Sequence, residues 1–406
     1  MTNETRIKPQ LRFEPFEDSW SKLNLNEVSE RVKRKNKNLE SLMPLTISGK
    51  YGLVDQITYF SKSVSAKNLE NYTLIKNGEF AYNKSYSNGY PLGAIKRLDK
   101  YEKGALSTLY ICFKVNEKNN SNFIKYFFET TKWHKEVSSI SVEGARNHGL
   151  LNISVNDFFN IKISLPSVEE QQKIGFFFSK LDRQIELEEQ KLEKLEEQKK
   201  GYMQKLFSQE LRFKDDSGCD YPNWKYNYLG NYMISHDEKT TENNQYPVLT
   251  SSREGLFLQK DYFTRDVASK DNTGYNVVPY GYFTYRHMSD DLVFKFNINY
   301  MVQKGIVSTL YPVFKTTSDL DNYFLKEILN NGNEFKKYAL MQKQGGSRTY
   351  MYFSKLKQLK LHIPVLKEQE KISVLLKNLD SLIEKQSSKV ELLKQRKLGF
   401  LQKMFI

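Results

Sequence analysis

The chain is built twice, and this limits what it can fold into more than any other feature. Residues 161–207 match residues 359–405 without a gap at an offset of 198, with about 18 identities in 47 positions, more than shared composition produces. The matches include Pro166/Pro364, Glu170-Gln171/Glu368-Gln369, Lys173-Ile174/Lys371-Ile372, Leu181-Asp182/Leu379-Asp380, Gly201/Gly399 and Gln204-Lys205/Gln402-Lys403. Fainter echoes lie upstream. Lys103-Gly104 followed by Ser107-Thr108-Leu109-Tyr110 recurs as Lys304-Gly305 followed by Ser308-Thr309-Leu310-Tyr311, and Gly52-Leu53 with Tyr59-Phe60 recurs as Gly255-Leu256 with Tyr262-Phe263. Leu11-Arg12-Phe13 returns as Leu211-Arg212-Phe213, just after the first matched segment. Each half is therefore a variable domain closed by a constant segment, which divides the chain at 1–166, 167–207, 208–364 and 365–406.

The constant segments read as long helices. Ile174, Phe178, Leu181, Ile185, Leu192, Leu195, Tyr202 and Leu206 keep the alternating four and three spacing that lays one apolar stripe along a helix, and Ile372, Leu376, Leu379, Ile383, Val390, Leu393, Phe400 and Met404 repeat it. Pro166 with Ser167 and Glu170 predicts a capping box at the first start, and Val365 lacks that cap in the second copy. About 40 residues at 1.5 Å each make rods of roughly 60 Å. A single stripe has to be covered, and the nearest cover is its duplicate. The first helix must run from domain one to domain two and the second must return, so an antiparallel coiled coil is expected. Glu188 and Lys199 interrupt one seam, Gln386 and Lys397 the other. Two registers bring seam to seam. One keeps every apolar layer but faces Lys199 with Leu379 and Glu188 with Val390. The other slides by a heptad to face Glu188 with Lys397 and Lys199 with Gln386, and charge pairing favours it.

The variable segments read as mixed α/β, giving an α/β (α+β) fold class overall. Strands are expected over 106–113 and 306–314, with short helices over 122–130 and 322–329 at matching places. With 39% hydrophobic and 14% aromatic residues the chain can build real cores. Its net charge of +14 points to a polyanion. Residues 1–166 hold 25 basic and 17 acidic side chains, and residues 208–364 hold 20 and 17, so most of the excess lies in the variable domains. Two cysteines, Cys112 and Cys219, cannot make a disulfide framework, and the polar first ten residues carry no apolar signal core. No long uncharged apolar run is present, so a cytoplasmic protein outside the membrane is expected.

Motifs of catalysis are missing. There is no phosphate-cradling Gly-x4-Gly-Lys-Ser/Thr run, and all ten prolines stand alone, which leaves no Asn/Asp-Pro-Pro-aromatic clamp for methylating an amino group. His134, His148, His236, His287 and His362 never take the spacing of a helix-borne zinc site.

Two variable domains of about 150 residues, each closed by Pro-x3-Glu-Gln-x-Lys-Ile and a helix ending in Gln-Lys-x-Phe, resemble the specificity subunit of type I restriction–modification enzymes. Leu11-Arg12-Phe13, the Arg motif at Gly144-Ala145-Arg146 and Gly345-Gly346-Ser347-Arg348 add to the likeness. The resemblance implies two target-recognition domains, each reading one half of a split double-stranded DNA sequence. It also implies that adenine methylation and cleavage belong to partners: two methyltransferase (modification) subunits and restriction/translocase subunits, carrying S-adenosylmethionine, ATP and Mg. No catalytic residue, cofactor or metal is then expected in this chain. A helix overlap of this kind would act as a ruler for the gap between half-sites.

Base edges in the major groove are read by Arg, Asn or Gln on rigidly held loops, while Lys and hydroxyls hold phosphates. Candidates in the first domain are Lys50, Tyr51, Lys84, Tyr86, Arg146, Asn147 and His148. In the second they are Arg253, Arg286, His287, Arg348, Tyr350 and Tyr352. Core packing is the competing role for each aromatic, and solvated surface for each lysine. Two other readings stay open at this stage: a duplicated coiled-coil scaffold that binds only protein, and a nuclease with an unrecognised site.

Overall fold

The computed structural model describes residues 8–61, 68–87, 89–141, 151–263, 271–343 and 346–406. The chain divides into two compact units, Met1–Glu189 with Ser388–Ile406, and Gln190–Ser387. Each unit therefore contains the first part of one long helix and the last part of the other.

Unit 1 is organised around a four-stranded antiparallel sheet in the order Ser29–Arg31, Ile111–Val115, Phe80–Asn83, Ala94–Arg97. Unit 2 repeats it as Met233–Ser235, Val313–Thr316, Phe283–Tyr285, Phe296–Ile298. Even the cross-strand ring pair is copied: Phe80 stacks on Phe113 at 5.0 Å, and Phe283 on Phe314 at 4.7 Å. Stacking of this kind on the buried face of a sheet is what ties neighbouring strands together. The hairpin Leu45–Ser48/Gly52–Asp55 recurs as Leu249–Ser251/Leu256–Leu258. Its return strand begins at a glycine of positive φ in the first copy, Gly52 at +77°, and just after one in the second, Gly255 at +149°, so the sequence repeat at these positions has a steric cause. The Lys-Gly repeat has another. A Cβ on Gly104 would lie 2.3 Å from Leu45 Cδ1, and on Gly305 2.3 Å from Leu249 Cδ1.

The strands expected over 106–113 and 306–314 are each broken in two. Lys103–Leu106 and Ile111–Val115 flank a turn in which Tyr110 N–H donates to Ser107 O at 3.1 Å, and Lys304–Val307 and Val313–Thr316 flank the turn of Tyr311 onto Ser308 O at 3.0 Å. In both, the serine hydroxyl also accepts from the leucine N–H two residues on, and this local bond competes with the ladder. The following helices, Ser121–Glu129 and Asn322–Asn331, start at Asn120 and Asp321, whose side chains accept from the Phe123 and Phe324 N–H groups.

The long helices are Val168–Phe207 and Leu366–Met404. No residue of either apolar stripe is exposed, each fully buried one adding about 1.5–3 kcal/mol of hydrophobic stabilisation. Within unit 1, Phe177 meets Phe400 at 5.1 Å, Asp182 meets Lys397 at 2.7 Å and Glu188 meets Lys389 at 2.5 Å, so the segments run antiparallel. Within unit 2, Lys199 meets Asp380 at 2.6 Å, and Leu206 joins Ile372 and Leu376 in the core. This is the register that keeps every apolar layer. The pairing of Glu188 with Lys397 and Lys199 with Gln386 is not formed. The charges need no seam partner, because each turns to the residue flanking the facing layer: Lys389 beside Val390, and Asp380 beside Leu379.

The start of the first long helix corrects a further expectation. Ser167 Oγ accepts from Glu170 N–H at 3.4 Å, but the Glu170 carboxylate does not return to close a capping box. It is fully buried and receives Arg12 through Nε at 2.8 Å and Nη2 at 2.7 Å. In unit 2 Glu368 receives Arg212 at 3.1 and 2.7 Å, and Trp224 Nε1 at 3.1 Å. The next residues continue the lock: Gln171 bonds Asn120 N–H and Pro166 O, and Gln369 bonds Asp321 N–H and Pro364 O. The Leu-Arg-Phe and Glu-Gln motifs are thus two halves of one device that ties the start of a domain to the start of its helix. The adjoining backbone repeats as well, Leu11 N–H donating to Lys403 O and Leu211 N–H to Lys205 O.

Candidate nucleic-acid interface

Five of the six residues singled out in the second domain, Arg253, His287, Arg348, Tyr350 and Tyr352, meet on one side of unit 2. The short ladder Met288–Ser289/Thr349–Tyr350 places Tyr350 opposite Met288, and Met351 N–H donates to His287 O at 2.7 Å. Alternation along the strand sends Tyr350 and Tyr352 to the same face. Their rings stack at 5.7 Å and 12°, and His287 stacks on Tyr352 at 5.1 Å. Beneath them the buried Tyr285 hydroxyl donates to Met351 O at 2.9 Å, which anchors the ladder to the core. Tyr352 is 49% exposed and Tyr350 37%, so neither ring is spent on core packing.

Arginines flank this stack. Arg253, at the tip of the 249–258 hairpin, makes a two-pronged bond to Asp291 at 2.7 and 2.9 Å, while Arg348 Nε donates to Asp290 at 3.0 Å. Arg286 is exposed and close enough to Tyr311 to favour its phenolate, against the larger effect of burial, which raises that hydroxyl's pKa. Asp291 is held at about 2 by the Arg253 bond first and by Ser289 Oγ–H second. Asp290 and Asp291, which sequence reasoning did not pick out, thus hold two forked donors in place. A guanidinium fork fits a carboxylate, a phosphate or the O6/N7 edge of guanine equally well, so this surface offers donors of the right geometry to a polyanion.

In unit 1, Lys50 and Tyr51 occupy the tip of the matching hairpin, Lys50 Nζ lying 5.2 Å from the Tyr51 ring centre. Lys84 takes the place of His287, its carbonyl accepting Leu151 N–H at 2.9 Å, and its Nζ donates to Ile153 O at 3.2 Å. Tyr86 is 61% exposed. Arg146, Asn147 and His148 lie outside the described residues. Lys50 and Tyr51 also border a cleft shared with Lys96, Arg97 and Lys100. Those three were visible in sequence as a basic Lys-Arg-x-x-Lys run but were not singled out. Among the described residues no group of three or more His, Cys, Asp or Glu side chains could hold a metal ion, and no helix is long and apolar enough to cross a membrane.

The model of the type I restriction modification DNA specificity domain matches this chain twice, over residues 17–197 and 227–392. The chain belongs to that family. The two matches coincide with the two copies of the internal repeat. A curated relative, the type I restriction enzyme MjaVIII specificity subunit of Methanocaldococcus jannaschii, is 25% identical in an alignment of 331 residues that covers 74% of each chain. Among solved structures, the S subunit of a type I restriction–modification system from M. genitalium has the same fold, with a TM-score of 0.56 and 15% identity over 98% of this specificity-family chain and 99% of that one. A chain from a study of complex assembly and conformational transition in the type I R-M system aligns with a TM-score of 0.52 and 15% identity, covering 95% and 97%.

Proposed function

We propose that this specificity-family chain reads a two-part double-stranded DNA sequence and delivers partner subunits to it, one half-site falling to residues 1–166 and the other to residues 208–364. The observation that carries the reading is the convergence in unit 2 of Arg253, Arg348, His287, Tyr350 and Tyr352, with the exposed Arg286 next to His287 in sequence. Arginines supply base-edge and phosphate donors, and the tyrosine hydroxyls supply phosphate contacts. Lys50, Tyr51, Lys84, Tyr86, Arg146, Asn147 and His148 are the corresponding proposal for unit 1. Methyl transfer, translocation and cleavage fall to modification and restriction subunits, which bring S-adenosylmethionine, ATP and Mg. The long helices are the surface on which two modification subunits dock.

Exchanging residues 14–160 for the same segment of a relative is the direct test, read by methylation-site sequencing in cells. One half of the target should change and the other stay. Change in both halves would overturn the division of labour. Inserting one heptad in both long helices adds about 10 Å to each rod and should widen the gap by roughly three base pairs. Duplex binding that shows no dependence on this chain would favour a protein-only scaffold, and Mg-dependent cleavage by the purified chain alone would make it a nuclease.

A further inference from the structure

The cleft of unit 1 that Lys50 and Tyr51 border has a volume of about 360 Å³ and is lined also by the strand Ala94–Arg97 and by Asp182 and Lys397 of the long helices. Three carboxylates reach it, and all three are engaged. Asp99 takes Arg97 at 2.6 Å and Lys125 at 2.9 Å. Lys397 bonds both Glu129 and Asp182 at 2.7 Å, and Tyr126 donates to Asp182 at 2.8 Å. Three lysines then remain, Lys50, Lys96 and Lys100, none of which makes an ion pair with a described residue. The cleft therefore carries a surplus of positive charge that the fold itself does not neutralise.

Lys96 is the informative one. It is half-buried. Its Nζ lies 5.9 Å from the Tyr90 ring centre, an interaction weaker than a direct ion pair. Burial first, and then Lys397 and Lys125, hold its pKa below the ordinary lysine value, with Glu129 opposing. A cation kept in such a place without its own carboxylate has an unmet need for an anion. Unit 2 builds a like cluster from the same repeat positions of the long helices and different positions of the short one: Lys199 bonds Glu327 at 3.2 Å and Asp380 at 2.6 Å, Tyr323 bonds Asp380, and a half-buried Lys295 lies beside them. There, however, the hairpin-tip cation Arg253 is already taken by Asp291, so the surplus is larger in unit 1.

We propose that this cleft seats a phosphate group of the DNA backbone, held by Lys96, Lys50 and Lys100. The unpaired donors are all ammonium groups, and the one forked donor, Arg97, is tied to Asp99 and to Ser121 Oγ at 3.0 Å. Point charges of this kind hold phosphates without reading sequence. The site fixes where the duplex lies against domain one, while the hairpin and loop residues distinguish bases. This inference rests on the DNA-reading function proposed above.

The test uses the full chain assembled with its modification subunits, and duplexes with and without the target, titrated between 50 and 200 mM salt. Lys96→Gln and Lys100→Gln should each lower the slope of log affinity against log salt by about one, to the same extent on both duplexes, and Lys96→Arg should keep the parent slope. If Lys96→Gln does not fold, Lys50→Gln with Lys100→Gln, both exposed, should lower the slope by about two. A steep parent slope that none of these variants changes overturns the cleft and leaves DNA reading standing. Assemblies that bind DNA no better than modification subunits alone overturn DNA reading itself. Inorganic phosphate is titrated calorimetrically in parallel. Saturable binding that Lys96→Gln abolishes, with an unchanged DNA slope, would assign the cleft to a free phosphate and overturn the DNA assignment.

Discussion

Replacing Glu368 by alanine removes a carboxylate that is fully buried and accepts three bonds, from Arg212 Nε at 3.1 Å, Arg212 Nη2 at 2.7 Å and Trp224 Nε1 at 3.1 Å. Breaking a buried pair by deleting one partner costs about 3–5 kcal/mol, because the other charge stays behind unpaired. Two features put this site near the lower end. The Arg212 side chain is 22% exposed, and its Nη2 keeps a bond to Pro222 O at 2.7 Å. For a unit of this size about 3 kcal/mol lowers the melting temperature by roughly 6–12 °C. Tryptophan fluorescence is the assay, since Trp224 loses its own partner in the variant. Glu368→Gln keeps the volume and one acceptor and should fall in between. The double variant Arg212→Met with Glu368→Leu removes both charges together and should recover most of the loss. An alanine variant that melts within about 2 °C of the parent would refute the argument, as would a double variant worse than the single one, since the Arg-Glu lock would then not hold the domain to its helix.

The register of the long helices predicts that Glu188→Lys is destabilising and that Lys389→Glu restores it. The coupling should be about 0.5–1 kcal/mol because Lys389 is half exposed, and a matching cycle of Glu188 with Lys397 should show none. Cys112 is buried and its thiol is pushed up to about 12, whereas Cys219 is exposed; a thiol reagent at pH 8 should therefore label one cysteine in the folded chain and two after unfolding. The Asp291 carboxyl should titrate near 2 by NMR and return toward the ordinary value of about 4 in Arg253→Ala. Its folded pKa lies below the unfolded one, so the contribution of this pair to stability is present above about pH 4 and is lost as pH falls toward 2.

Periodicity and repetition determined, from residue order alone, that two halves exist, that each ends in a long helix, and which faces of those helices are buried. They could do so because burial selects apolar spacing that is visible one residue at a time. Register was not legible in the same way. Seam positions alone made Lys199 and Glu188 look like charges in need of seam partners, and only the packed helices bring Asp380 and Lys389 from the flanks. The break at Ser107 and Ser308 was hidden because a β-rich run looks the same with or without a local hydroxyl bond. For the candidate interface, residue type was enough to nominate Arg253, His287, Arg348, Tyr350 and Tyr352. That Asp290 and Asp291 hold the arginines, and that Lys96 comes beside Lys50, depends on side chains far apart in sequence. Such pairings are set by how strands and loops meet in three dimensions, and no local pattern encodes them.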